Sequence, residues 1–182
     1  YGLACARPQP VLVGTAPPCA TLDALYQRLA GWQPLASRHG LIAEDIVDVL
    51  QQLHGSGHLP ALWPQEPAAQ ARWRAARLYL ATRDFDVLHL VTGWQAALSV
   101  ARALGLAEVP AATAQQLQAA TLALWLRCGQ PALPPPCERA ELMPLQPLPG
   151  DHDCKLLFSA LQLAALDNDA RWLGLAASLQ GQ

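Results

Sequence analysis

Apolar residues recur at helical spacing throughout this chain, and no segment alternates apolar and polar residues as a half-buried strand does. The first such apolar face contains Leu22, Leu25, Tyr26 and Leu29. Side chains of a strand alternate between its two faces with a period of two, so a period near 3.6 does not suit a sheet. The pattern therefore predicts an all-α fold, a multi-helix globular bundle without a sheet.

Capping and breaker residues divide the pattern into seven predicted helices. Thr21, Asp84, Thr113 and Asp151 each stand where a side-chain oxygen can accept hydrogen bonds from the first N–H groups of a helix. Gly129 is expected to end the fifth helix. The predicted helices span residues 21–32, 43–53, 67–82, 84–105, 113–129, 151–166 and 170–179.

Prolines mark two non-helical segments within the single domain, residues 1–182, that the length favours. Residues 1–20 are predicted to be an irregular lead-in, because four prolines interrupt any pattern there. Residues 129–150 contain seven prolines together with many apolar side chains. We expect this second segment to be an extended strap that lies on the helices, since a free linker would be more polar.

The composition argues against several classes of protein. Apolar residues make up 52% of the chain and charged residues only 14%, so either the core is large or a partner covers apolar surface. A net charge of -2 without a basic cluster argues against binding to nucleic acid or to an anionic membrane. The longest uncharged apolar run, residues 87–101, includes a histidine and other polar residues, so we expect no membrane span.

The cysteines predict a reduced, cytoplasmic protein. Their number is odd, their spacing is irregular and none forms a C-x-x-C pair, which favours mostly buried thiols. Cys154 is interpreted as a packing residue. The five are Cys5, Cys19, Cys128, Cys137 and Cys154. The sequence also lacks the Walker, Rossmann, G-x-S-x-G and H-E-x-x-H motifs.

Histidines are the first candidates for site residues, and the chain has five. His54 and His58 have the spacing of paired metal ligands on a helix, but two glycines between them favour a polar turn. His39 is interpreted as an exposed turn residue. His89 lies in the most apolar helix, so it is either a core histidine bonded to a backbone carbonyl or a site residue. Gly93, one turn further on, is expected to allow a close approach by a helix or a ligand.

Lys155 is the only lysine in the chain, and it follows His152 by three residues in "DHDCKLLFSAL". Positions i and i+3 share a helix face, so the two side chains are expected to point the same way. One interpretation is an exposed polar face that continues through Ser159 and Gln162. The other interpretation places both residues in a site and uses chemistry that arginine lacks.

A desolvated lysine favours its neutral form, and a neutral amine can form a Schiff base with a carbonyl or add carbon dioxide to become a carbamate. A carbamate is an anionic oxygen ligand, like a carboxylate. Two imidazoles and one such ligand, with open positions, form the arrangement of non-haem iron oxygenases. His89, His152 and a carboxylated Lys155 would supply that set within this chain.

Two segments resemble questin oxidase-like proteins. "RAARLYLATRDFDVLHLVTGWQAALSVARAL" resembles the part of those proteins in which a helix with alanine, leucine and tyrosine leads into "LHxVTG". "DHDCKLLFSALQLAALDNDARWLGLAASL" resembles their closing segment, in which "HxxKL" precedes a helix, an acidic turn and an alanine-rich last helix. The resemblance covers residues 67–182 and extends more faintly to residue 21, and "YGLACAR" is similar to a helix end in the middle of those proteins.

The resemblance implies an all-helical oxidoreductase that oxygenates or opens the ring of an aromatic polyketide of the anthraquinone type. It implies non-haem iron (Fe) held by His89, by His152 and by a carbamate on Lys155, with dioxygen and a small aromatic molecule as substrates and NADPH as the candidate reductant. His152 and Lys155 are then expected to point inward toward His89. Phe85 and Trp94 are expected to line the substrate cleft. The residues that carry the catalytic steps are not identified.

Proteins of this family are about twice as long, so the chain resembles their C-terminal half. We therefore expect one of three cases: a separate chain supplies the N-terminal half, or that half was cut off or left out, or the chain is a reduced relative with an incomplete metal site. The alternative is a non-catalytic helical subunit, for partner binding or for structure, without its own metal. Low charge and high apolar content agree with both hypotheses.

Overall fold

The computed structural model describes residues 13–35, 42–64, 66–138 and 150–180. Contacts group the chain into two compact units, Tyr1–Gln65 and Glu66–Gln182. The single domain stays a prediction, because contacts within each unit do not fix the arrangement of the two. Cys5, His39, the "YGLACAR" segment and residues 139–149 of the strap lie outside the described residues.

Seven helices and no strand are found in the described part of the chain, which confirms the all-α prediction. None of the helices found there is long and apolar enough to cross a membrane. The helices are α1 (Leu22–Arg28), α2 (Ile42–Gly55), α3 (Ala68–Thr82), α4 (Phe85–Ala103), α5 (Ala111–Arg127), α6 (Asp151–Asp167) and α7 (Arg171–Gln180).

The first unit contains α1 and α2, and an extended segment precedes α1. Residues 13–20 form no helix, and Ala16 pairs with Pro60 in an isolated parallel bridge. The Ala16 N–H donates to the carbonyl of Leu59 at 3.0 Å. The hydroxyl of Thr21 accepts a hydrogen bond from the Ala24 N–H at 3.1 Å, which confirms the predicted cap of α1.

The second unit is built around α4, which packs against α3, α5 and α6, while α6 also packs against α7. The buried side of α4 supplies most of its apolar side chains to this core, and removing them from water is the main favourable term in folding. Those side chains are Val87, Leu88, Leu90, Val91, Trp94, Leu98 and Ala101.

The predicted start is confirmed for α4 and is wrong for α5 and α6. The Asp84 carboxylate accepts from the Asp86 and Val87 N–H groups at 2.8 and 3.1 Å. α5 begins directly after Pro110, so Thr113 lies inside the helix. Gly150 precedes α6, and Asp151 is its first helical residue. There the positive end of the helix dipole stabilises the negative charge of the carboxylate.

The described beginning of the strap, residues 131–138, has no regular structure and lies on helices of the second unit. The Arg77 guanidinium on α3 donates to the carbonyls of Leu133, at 3.1 Å, and Pro134. The Trp125 indole N–H on α5 donates to the carbonyl of Pro131 at 3.1 Å. These side-chain donors pair with carbonyls that an irregular segment cannot pair by itself.

Candidate metal and substrate site

The three predicted ligands lie on two neighbouring helices. His89 is the fifth residue of α4, and His152 and Lys155 are the second and fifth residues of α6. α4 and α6 pack against each other within the second unit. Tertiary packing therefore brings together residues that are far apart in the sequence.

The phenyl ring of Phe85 contacts both imidazoles. Its centroid lies 4.4 Å from that of His89, with an interplanar angle of 71°. It lies 4.8 Å from the centroid of His152, with an angle of 75°. Both contacts are edge-to-face, the arrangement that aromatic quadrupoles favour. The two histidines are therefore neighbours across one shared ring.

His89 is exposed, so the expectation of a core histidine is wrong in its burial. It is right in its partner, because Nδ1 lies 2.9 Å from the carbonyl oxygen of Phe85. A carbonyl only accepts, so Nδ1 carries the proton of the neutral ring. The lone pair of that ring is then on Nε2, which is the form that binds a metal ion.

His152 and Lys155 are also exposed, so the expectation that they point into the protein is wrong. Ser159 is buried, and the exposed side of α6 passes through Phe158 before it reaches Gln162. Within the described residues, the ring of His152 makes no hydrogen bond and Lys155 makes no ion pair. The surface that they share is therefore mixed, with an aromatic ring beside basic groups.

No group of three histidine, cysteine, aspartate or glutamate side chains in the described ranges is arranged to hold a metal ion. A third protein ligand for the pair would have to be of another kind. The second histidine pair is not a helical pair, because His54 is in the last turn of α2 and His58 lies beyond it. His58 Nδ1 instead lies 2.8 Å from the Ser56 hydroxyl, as expected for a polar turn.

The two predicted substrate contacts occupy different environments. Phe85 keeps 47% of its surface exposed beside the histidines. Trp94 is completely buried, and its indole Nε1 has no hydrogen-bond partner among the described residues. Its ring faces the Arg72 guanidinium, whose carbon lies 6.0 Å from the ring centroid. Trp94 therefore belongs to the core and does not share the surface of His89.

Arg127 of α5 fixes the first turn of α4. Its guanidinium pairs with Asp84 at 3.1 Å and with Asp86 at 2.5 Å. Burial alone would lower the pKa of Arg127, but the Asp86 hydrogen bond and the two carboxylate charges raise it, so the guanidinium stays cationic. Burial, with a smaller effect of the Asp84 charge, raises the pKa of the Cys128 thiol, which disfavours its use as a nucleophile.

The cysteines that the structure describes are free thiols. Cys19 is buried, whereas Cys128 and Cys137 are partly buried. Cys154 is exposed, so its interpretation as a packing residue is wrong. Cys154 lies on the solvent-exposed side of α6, together with the exposed side chains of Lys155 and Phe158.

Sequence reasoning missed a buried ionic cluster at the other end of α6. Arg72, which is 1% exposed, donates to Glu108 at 2.8 Å and to Asp167. The Trp172 indole N–H donates to Asp167 at 3.1 Å. Spacing gave no signal that singled out Arg72: Arg72 and Arg74 are two residues apart and lie on different faces of α3, yet both are buried.

No family model, no curated protein and no solved structure matches this chain. The resemblance to questin oxidase-like proteins therefore rests on the quoted segments alone. That resemblance is the source of a functional hypothesis, and the support for the hypothesis has to come from the described residues.

Proposed function

We propose that this chain carries the metal-binding part of a non-haem iron oxidoreductase that oxygenates or opens an aromatic polyketide of the anthraquinone type. One observation carries the proposal: two histidines that are distant in sequence contact the same exposed phenyl ring from neighbouring helices. This arrangement keeps two potential nitrogen ligands close together on one surface.

The described residues fit the imidazole part of an iron site. The Phe85 carbonyl accepts the Nδ1 proton of His89 and so leaves Nε2 free to bind a metal. A backbone carbonyl is a usual hydrogen-bond partner for the second ring nitrogen of a metal-binding histidine. The ring of His152 makes no competing hydrogen bond within the described residues. Iron bound there would activate dioxygen and stabilise charge that develops on the substrate.

The position of Lys155 suits a third metal ligand, but its exposed side chain has to be covered before a carbamate is favoured. Lys155 shares a helix face with His152, so its long side chain can serve the same site. Carbamate formation needs the neutral amine, which burial favours, and the side chain is exposed. The proposal therefore includes a separate chain that covers this surface and supplies the helical layer that the resemblance implies. Substrate would lie against Phe85, with NADPH as the reductant.

The direct test is the iron content of protein grown with added iron, by elemental analysis. Iron in stoichiometric amount is expected for the unchanged protein, together with its loss in His89→Ala and His152→Ala. Lys155→Arg should hold less iron once a separate chain covers the site, because a guanidinium cannot become a carbamate. His54→Ala removes an exposed histidine of the first unit and should change nothing. Equal iron in His54→Ala and His89→Ala would refute the site.

The second candidate is a helical subunit without a metal, whose apolar surface binds a partner. The observation in its favour is that both phenylalanines of the chain are exposed, Phe85 at 47% and Phe158 at 57%. Isolated exposed apolar residues are ordinary, so this candidate requires the two rings to belong to one apolar patch, since large apolar patches rimmed by polar residues mark interaction sites. Size-exclusion chromatography decides between the two candidates when it is combined with the iron analysis: this candidate requires self-association or stable pairing, and no iron.

A further inference from the structure

Phe85 takes part in three contacts with the two histidines. Its carbonyl oxygen lies 2.9 Å from His89 Nδ1, and its ring edge-packs with the imidazoles of His89 and His152. The hydrogen bond fixes which nitrogen of His89 carries the proton. The ring contacts restrict how far each imidazole can rotate, because a turned imidazole would lose its edge-to-face geometry.

The backbone of Phe85 is itself held in place. Asp84 caps the helix at the preceding position, and the carboxylates of Asp84 and of Asp86, in the first turn, pair with Arg127 of α5. The carbonyl and the ring therefore project from a fixed turn. Core packing does not explain the phenyl ring, because 47% of Phe85 stays exposed while the adjacent Val87 and Leu88 are buried.

We propose that Phe85 is a positioning residue for the two imidazoles. Its carbonyl orients His89, and its ring sets the separation of His89 from His152. This inference rests on the proposed metal site, and it adds a second role to the expected substrate contact of Phe85. Groups that orient metal ligands typically change metal affinity by about 10- to 100-fold when they are removed.

The test compares Phe85→Leu with Phe85→Tyr. Both variants keep the backbone carbonyl, and only the second keeps an aromatic ring, so the pair isolates the ring. The probe is Co²⁺ alone, titrated into the whole chain and followed by calorimetry and by the visible absorption of the ion. We expect Phe85→Leu to bind Co²⁺ about tenfold more weakly, with an unchanged far-ultraviolet circular dichroism spectrum. Phe85→Tyr should bind as the unchanged protein does.

Phe158→Leu is the matched control, because it removes the other exposed phenyl ring from α6 and should leave Co²⁺ affinity unchanged. Nuclear magnetic resonance provides a readout without metal. The imidazole carbon-bound protons of His89 and His152 should show ring-current shifts that Phe85→Leu removes.

The two proposals fail in different ways. Binding of Co²⁺ that depends on both histidines but is equal in Phe85→Leu would overturn the positioning role and leave the metal site standing. Absence of Co²⁺ binding by the unchanged protein would overturn the metal site and the positioning role with it. Histidine proton shifts that do not respond to Phe85→Leu would contradict the ring contacts themselves.

Discussion

The two ends of α6 carry polar clusters that differ in how completely their polar atoms are paired. At the last residue, Asp167 accepts from Arg72 and from the Trp172 indole N–H, and its side chain is 6% exposed. In the first turn, His152 has an aromatic contact and no hydrogen bond within the described residues, and its side chain is exposed. We call the group of Asp167, Arg72, Glu108 and Trp172 the closed cluster, because its buried polar atoms are paired. The group of His152 and Phe85 at the other end of α6 is the open cluster.

The difference separates a structural role from a binding role. A buried ion pair whose hydrogen bonds are filled has no capacity left for a ligand, and its removal damages the fold. An exposed imidazole beside an exposed ring costs little to keep and can still bind something. We therefore expect substitutions at the Asp167 end to change stability, and substitutions at the His152 end to change binding with little change in stability.

The largest effect is expected for Arg72→Met. The substitution keeps much of the side-chain volume but leaves the Asp167 carboxylate buried without its cation. Breaking a buried pair in this way costs about 3–5 kcal/mol. The free energy of unfolding, measured by urea denaturation, should fall by that amount.

Arg102→Met is the matched control. Arg102 also reaches the last turn of α6, where it donates to the Leu166 carbonyl at 3.1 Å, but its side chain is exposed. Its loss should change stability by about 0.5 kcal/mol or less, as for most surface substitutions. Equal losses for the two arginine variants would mean that the buried cluster is not the structural end of α6.

The helices could be predicted from the sequence because their causes are local. Helical spacing predicts all seven, and the side chains of Thr21 and Asp84 cap where expected. The caps predicted at Thr113 and Asp151 are wrong because the helices start at earlier breakers, Pro110 and Gly150. A threonine or an aspartate can lie in the first turn of a helix as well as at its N-cap, so the residue type alone does not fix where the helix begins.

The exposure of the site could not be predicted, because α4 is apolar on nearly all sides. Phe85 and Val100 are exposed although their type resembles that of the buried Val87 and Leu98, so the sequence does not mark the outer side of the helix. The apolar neighbours of His89 favour a core residue for this reason. Its proximity to His152 depends on how α4 packs on α6, which local spacing does not contain.

An intermediate effect is expected for alanine at two glycines. In Gly93→Ala, on α4 one turn after His89, the new Cβ would meet Leu117 Cδ2 at 3.7 Å, which is an ordinary contact. The ordinary contact contradicts a close approach by a helix at Gly93, while approach by a ligand stays a prediction, and Gly93→Ala should raise stability by about 1 kcal/mol.

Gly174→Ala on α7 should lower stability by about 1–3 kcal/mol, because its Cβ would lie 1.9 Å from the Glu138 carbonyl oxygen. Thermal unfolding of both variants checks the opposite signs, and a loss in Gly93→Ala would show that something else approaches α4 beside His89.

The smallest change in stability is expected on acidification, through the Glu108 carboxylate that pairs with Arg72. Burial alone would raise the pKa of Glu108, but hydrogen bonds from Arg72 and from the Val109 N–H hold it below its ordinary value of 4.5.

Because a carboxyl with a lowered pKa binds fewer protons in the folded state, its stabilising contribution is complete above its ordinary pKa. That contribution is lost as the pH falls through the lower folded value. The Glu108 side chain is 43% exposed, so solvent screening keeps its share small. Urea midpoints of the unchanged protein and of Glu108→Gln, measured from neutral pH into this acid range, should converge as the pH falls. Parallel curves would mean that Glu108 does not contribute through its charge, and that the closed end of α6 depends on the Arg72–Asp167 pair alone.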